Sequence, residues 1–154
     1  MRRDKLKIVT PVAVAAEHGG YVLDEQVGFL LRVAMQRHTS IFMSRMIEAL
    51  TQTQFAALSK LYEVGPCSQN HLGRLIYLDA ATIKGVVDRL VTRGFVSALN
   101  DPKDRRRRAV ALTARGRQVT EEAIKVAADI SVATLAPLTA EEQRAVARLL
   151  KMLS

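Results

Sequence analysis

A mostly α-helical fold carrying one small β-wing is predicted by three observations. Apolar residues recur at helical spacing along most of the 154-residue chain. Two short runs, 95–99 and 109–112, read instead as strands, and the segment between them, 100–108, combines the turn formers Asn100, Asp101 and Pro102 with a run of arginines. Just before this hairpin, Ile83, Val86, Val87 and Leu90 mark one amphipathic helix, with Gly94 where a left-handed C-cap belongs. A short capped helix, an amphipathic helix and a basic hairpin in succession predict a winged helix-turn-helix lobe, and the flanking helices predict a helical dimerisation region.

The elements follow in order. Residues 1–22 are mixed, and Pro11 with Gly19 and Gly20 argues against a long helix there, so they read as an N-terminal arm. The apolar run 8–16 superficially resembles a secretion signal, but it is short, is broken by Pro11 and lies beside Lys5 and Lys7. A cytoplasmic protein is the better expectation. From Asp24, an N-cap candidate, a helix is predicted over 24–49. It carries two largely apolar stripes, one through Val27, Leu31, Ala34, His38, Ile41 and Arg45, the other through Gly28, Arg32, Met35, Thr39, Phe42 and Met46. Such a helix is expected to be covered on more than one side, by its own domain and by a partner.

Thr51-x-x-Gln54 is a capping box that opens the next helix, which ends at Gly65-Pro66. Ser68 caps a short helix containing Leu72, Leu75 and Ile76, and Asp79 caps the amphipathic helix. After the hairpin, Thr113 starts a long helix with Val119, Ala123, Val126, Ala127 and Ile130 on one face, whose small alanines would admit a partner helix. Pro137 interrupts it. Thr139-x-x-Glu142 then caps a last helix with Val146, Leu149, Leu150 and Leu153 apolar. The organisation expected is one domain over 1–154, with dimerisation helices at 24–49 and 114–154 around a lobe at 51–113. These terminal helices are more apolar than a small winged helix requires, which predicts a homodimer.

Composition narrows the function. Lys and Arg number 23 against 15 Asp and Glu, a formal charge of +8. That excess favours a polyanionic partner, double-stranded DNA before a membrane surface. The single Cys67 excludes an intramolecular disulfide framework and a multi-cysteine metal site, and no run has transmembrane length. His18, His38 and His71 lack metal-ligand spacing, and there is no phosphate-binding glycine loop or nucleophile elbow. Neither an enzyme nor a cofactor or metal site is therefore expected, and Glu141-Glu142 is a helix start.

The candidate DNA-binding residues fall in three groups. With its apolar stripe turned inward, the amphipathic helix presents Ala81, Gly85, Asp88 and Thr92, flanked by Thr82, Lys84 and Arg89. Ala81 and Gly85 permit close approach, Thr82 and Lys84 can donate to bases or phosphates, and Arg89 can bind guanine or phosphate through two bonds. Asp88 would repel phosphate unless it pairs with Arg89 or accepts from cytosine. Ser68, Gln69, Asn70 and His71 open the preceding helix with polar side chains and unpaired backbone N–H groups, an arrangement suited to positioning phosphate. Lys103, Asp104, Arg105, Arg106, Arg107 and Arg108 form the wing tip.

The wing sequence Asp104-x-Arg106-x-x-x-Val110-x-Leu112-Thr113-x-x-Gly116 resembles the wing signature of the MarR (multiple antibiotic resistance regulator) family of bacterial transcription factors. The lead-in Asp101-Pro102-x-Asp104, the upstream Leu90-x-x-x-Gly94-Phe95-Val96 and the length fit the same family, so the resemblance spans nearly the whole chain. Ala98 departs from it, standing where many relatives have a basic residue that contacts phosphate. The resemblance implies that Asp104 braces the turn while Arg106 enters the minor groove, where narrow A·T-rich stretches attract arginine. It also implies a homodimeric repressor on a pseudo-palindromic operator, with two recognition helices in successive major grooves.

Members of that family bind small aromatic or anionic effectors between the dimerisation helices and the DNA-binding lobe. The corresponding candidates are Arg32, Met35, His38, Thr39, Phe42 and Arg45, with Met43 adding apolar wall. A ligand carboxylate would compensate the cations, as would ion pairs with Glu48, Asp24 or Glu25. Two other functions fit the same residues. Oxidation of Cys67 at a helix start, where the dipole lowers a thiol pKa, would make a redox-responsive repressor, although peroxide sensors of the family carry their cysteine in the first helix. A winged helix used for protein interaction would not need so basic a wing.

Overall fold

Five helices begin with a side chain folded back onto its own backbone. Thr51 Oγ1 accepts from the Gln54 N–H at 3.2 Å while Gln54 Oε1 accepts from the Thr51 N–H at 3.1 Å. Thr139 and Glu142 repeat this capping box, and Ser68, Asp79 and Thr113 each accept from the N–H three residues on. Each such cap contributes about 1 kcal/mol. The computed structural model describes residues 20–100, 104 and 107–154. Its helices are α1 (Val27–Arg45), α2 (Gln52–Val64), α3 (Gln69–Leu75), α4 (Ala80–Thr92), α5 (Ala114–Leu135) and α6 (Ala140–Met152). The strands are β1 (Cys67–Ser68), β2 (Val96–Asn100) and β3 (Arg108–Leu112).

The chain falls into two units, Met1–Ala34 and Met35–Ser154, and α1 contributes residues to both. In the first unit, Asp24 does not cap the helix. It lies in a 3-10 turn, Leu23–Glu25, and α1 starts only after Gln26, whose carbonyl accepts from the Leu30 N–H at 2.9 Å. This unit exposes Tyr21, Val22, Leu23, Val27, Leu30 and Leu31.

In the second unit α1 stops at Arg45 rather than at 49. Met46 turns extended and, with Leu50, plugs the core, while Glu48 and Ala49 between them adopt positive φ of 53° and 47°. Inserting these two apolar side chains outweighs continuing the helix. The core itself joins Leu58 and Leu61 of α2, Leu72 of α3, the predicted α4 stripe Ile83, Val86, Val87 and Leu90, and Phe95, Val96 and Val110 of the wing root. Full burial stabilises each large apolar side chain by about 2 kcal/mol. Val119, Ala123 and Ile130 of α5 complete this core, so the alanine face expected to admit a partner helix serves the chain's own interior. Among the described residues no single helix is long and apolar enough to cross a membrane.

The sheet adds a strand that the sequence reading missed. β2 pairs antiparallel with β3, Val96 opposite Leu112 and Asn100 opposite Arg108, and β1 pairs with the other edge of β3, Cys67 opposite Val110. β2 is shifted by one residue toward the tip relative to expectation, because Phe95 is buried in the core, and β3 begins one residue earlier, where Arg108 pairs with Asn100. Gly94 supplies the left-handed turn between α4 and β2, with φ 75°.

Candidate nucleic-acid interface

Burial of its apolar stripe fixes what α4 shows to solvent. Ala81, Thr82, Lys84 and Arg89 are exposed and Gly85 and Asp88 half-exposed. Thr82 is less free than its residue type suggests. Its hydroxyl donates to Asp79 Oδ2 at 2.9 Å, so toward a groove it offers a methyl group and a lone pair rather than a donor. The Arg89 guanidinium has no hydrogen bond or ion pair to the described residues, while its backbone carbonyl accepts from the Arg93 N–H at 3.1 Å.

Gly85 is not explained by the fold. A Cβ there would meet only the far end of Arg89, at 3.7 Å, and its φ needs no glycine. A glycine in mid-helix costs about 1 kcal/mol relative to alanine. Gly85→Ala is accordingly expected to raise Tm by a few degrees, and to weaken duplex binding if a groove wall closes on that face; unchanged affinity with raised Tm would show that nothing packs there.

The second and third groups meet in a groove of about 680 Å³. Ser68, Gln69, Asn70 and His71 line it from the α3 start, and Arg107, Arg108 and Ala109 from β3 and its approach. Pairing of β1 with β3 brings these segments together. Arg74, in the last turn of α3, joins the lining. Sequence reasoning passed over it, although its exposure follows from the inward spacing of Leu72, Leu75 and Ile76. At the wing, the Arg107 N–H donates to the Asp104 carbonyl at 2.8 Å and its Nε lies 4.0 Å from Asp104 Oδ2, which closes a turn. Lys103, Arg105 and Arg106 lie outside the described residues.

Asp88 does not pair with Arg89. Its Oδ1 accepts from Arg108 Nη1 at 2.5 Å and its Oδ2 from Lys84 Nζ at 2.7 Å. Arg108 Nη1 also donates to Gln69 Oε1 at 3.3 Å, so this arginine reaches back to α3 and α4 instead of standing at the wing tip. The Arg108 and Lys84 bonds hold the Asp88 carboxyl down to about 2, and bonds from Thr82 lower that of Asp79. The stability these carboxylates add is present above about pH 4, and is lost as pH falls through their lowered values.

Burial pushes the Cys67 thiol up, with a bond from the Leu72 backbone pulling partly back, a direction opposite to the lowering expected at a helix start.

The effector candidates divide. His38 and Phe42 line a cavity of about 250 Å³ with Gln52, Phe55, Ala127, Ile130 and Ser131. Met35, Thr39 and Arg45 are exposed and do not line it, Thr39 instead accepting a bond from Gln52 Nε2 at 3.1 Å. Arg32 lies in the first unit with its guanidinium over the Phe29 ring. His38 Nδ1 lies 2.9 Å from Thr134 Oγ1, which is itself 2.9 Å from the Ile130 carbonyl oxygen. Gln52, Phe55 and Ser131 escaped the sequence reading because they come from two other helices.

Residues 50–107 match the family model described as MarR family. The chain is 40% identical over 146 residues to the HTH-type transcriptional repressor NicR of Pseudomonas putida, covering 94% of this chain and 92% of that protein. A probable transcriptional regulator from Pseudomonas aeruginosa superposes with a TM-score of 0.82 at 47% identity, over 86% of this chain and all of that one. Bordetella bronchiseptica BpsR, whose DNA binding is regulated by 6-hydroxynicotinic acid, superposes at 0.79 with 38% identity, over 84% of this chain and 98% of its own.

Proposed function

The chain belongs to the MarR family of transcriptional regulators, and from that membership we propose that it is a homodimeric repressor of a pseudo-palindromic operator, released by a small aromatic acid. The observation that carries DNA contact is the convergence, around one groove, of the polar α3 start with Arg107 and Arg108 at the start of β3, beside the exposed face of α4. α4 is the recognition helix, its Ala81, Gly85 and Arg89 side entering the major groove, while Ser68, Gln69, Asn70 and His71 hold phosphate. The wing residues, Arg106 among them, follow the adjacent minor groove.

Dimerisation is supported by the apolar side chains that α1 and α6 leave exposed, Val27, Leu30 and Leu31 on one and Leu149, Leu150 and Met152 on the other. The effector reading rests on the cavity beside His38 and on BpsR, and points to a hydroxylated heteroaromatic acid. Release requires that the acid bind preferentially to a dimer whose recognition helices no longer match the half-sites.

The experiment is titration of the protein with duplex DNA from upstream of its own gene, across salt, with Arg89→Ala and with added 6-hydroxynicotinic acid. Expected are a log–log salt slope on the order of −5 or steeper, a roughly tenfold loss on Arg89→Ala, and weakened binding on adding the acid. A flat slope with no loss on the substitution would overturn DNA recognition through α4. Unchanged affinity in the presence of the acid would overturn this effector.

A further inference from the structure

An acid on a helix that docks against phosphate lowers affinity for every duplex, so Asp88 requires a reason to be there. Fold stability supplies only part of one. Its side chain is 41% exposed and that of Lys84 66%, a pair so open to water that it contributes little, and only the bond from Arg108, whose side chain is 26% exposed, ties Asp88 to another element. What Asp88 does is occupy cations. Lys84 Nζ sits 2.7 Å from one carboxylate oxygen and Arg108 Nη1 2.5 Å from the other, the first from one turn back on α4 and the second from the first residue of β3. Gln69 Oε1, 3.3 Å from the same Arg108 nitrogen, holds the guanidinium against both helices.

We propose that Asp88 is a specificity-determining residue that competes with DNA phosphate for Lys84 and Arg108. The inference rests on the reading of α4 and β3 as the DNA-contacting surface. Sequence-independent binding is driven by phosphate neutralisation and counterion release, so each cation held by an internal carboxylate is one fewer acting on random DNA. On a random duplex the phosphates meet these cations in no fixed register, so new pairs offset only part of the cost of breaking the two internal ones. On the operator, base contacts along α4 fix the register and bring phosphates to set positions, where they can displace the carboxylate. Asp88 therefore subtracts more from non-specific than from specific affinity and widens the ratio between them, the quantity that matters among many competing sites.

The test compares wild type with Asp88→Asn, which keeps the shape and removes the charge. Affinities are measured across salt for the upstream duplex and for a scrambled duplex of equal length and composition. On the scrambled duplex, Asp88→Asn is expected to bind about tenfold tighter near 0.1 M salt with a log–log slope steeper by about 1 to 2, while the upstream duplex gains less and the ratio narrows. Adding Lys84→Met to Asp88→Asn should return about one unit of that slope. Scrambled-duplex affinity and slope unchanged by Asp88→Asn would overturn the proposal while leaving the DNA reading intact. Equal loss of affinity on both duplexes would overturn it differently, making Asp88 a brace for the wing. A wild type that binds neither duplex with salt dependence would remove the underlying reading as well.

Discussion

Gly116→Ala is expected to lower stability by about 3 kcal/mol, a fall in Tm on the order of 10 °C. Gly116 sits in the first turn of α5, and a Cβ there would lie 1.8 Å from the Phe95 carbonyl oxygen and 2.7 Å from its carbon. Neither is the loose end of a side chain. The same carbonyl accepts from the Thr113 N–H at 3.1 Å, and the Thr113 hydroxyl donates to the Gly94 carbonyl at 2.7 Å. A methyl group would thus separate α5 from the backbone on which β2 starts, opening the wing root. Thermal unfolding with and without the substitution measures this. A Tm within two degrees of wild type would mean that α5 shifts freely, contrary to the contact described.

Arg93→Ala should cost about 2 kcal/mol. Arg93 ends α4, and its Nη2 donates to the Glu48 carbonyl, lies 3.6 Å from Glu48 Oε2, and belongs to a guanidinium stacked 4.7 Å over the Phe95 ring. The segment it holds is the one where Glu48 and Ala49 both take left-handed backbone, a conformation costing roughly 1 kcal/mol or more for each non-glycine residue. Without the arginine, the amides of Ala49 and Leu50 are expected to exchange hydrogen faster and Tm to drop by about 5 °C. Faster exchange confined to that segment is the diagnostic result, and exchange indistinguishable from wild type would show that the strained bend holds itself.

Local signals were the legible ones. Thr51-x-x-Gln54, Asp79 and Thr139-x-x-Glu142 announced helix starts because a cap is settled within four residues, and Ile83, Val86, Val87 and Leu90 announced a face because periodicity needs only its own helix. The wing signature included Gly116 without giving its reason, which lies in the carbonyl of Phe95. Contacts between distant segments stayed hidden. β1 is too short to show a pattern and exists because β3 pairs with it. The bend after Arg45 follows from Met46 and Leu50 finding room in a core assembled elsewhere. Asp88 was recognised as misplaced beside phosphate, but its partner Arg108 lies in another element and had been assigned to the wing tip.

The strand order β1–β3–β2 also sets a sequence of assembly during synthesis. β1 and β2 meet in the sheet only through β3, the last of the three to leave the ribosome. α2, α3 and α4 can collapse together as soon as Thr92 emerges, since their contacts are near neighbours along the chain. β1, which leads into α3, however, has no pairing partner until Val110 and Ala109 arrive, about forty residues later, and closing that loop carries its own entropic cost. A nascent chain that stalls before Leu112 therefore holds an unanchored approach to α3, and the groove between the α3 start and β3 closes only when the return strand is laid down.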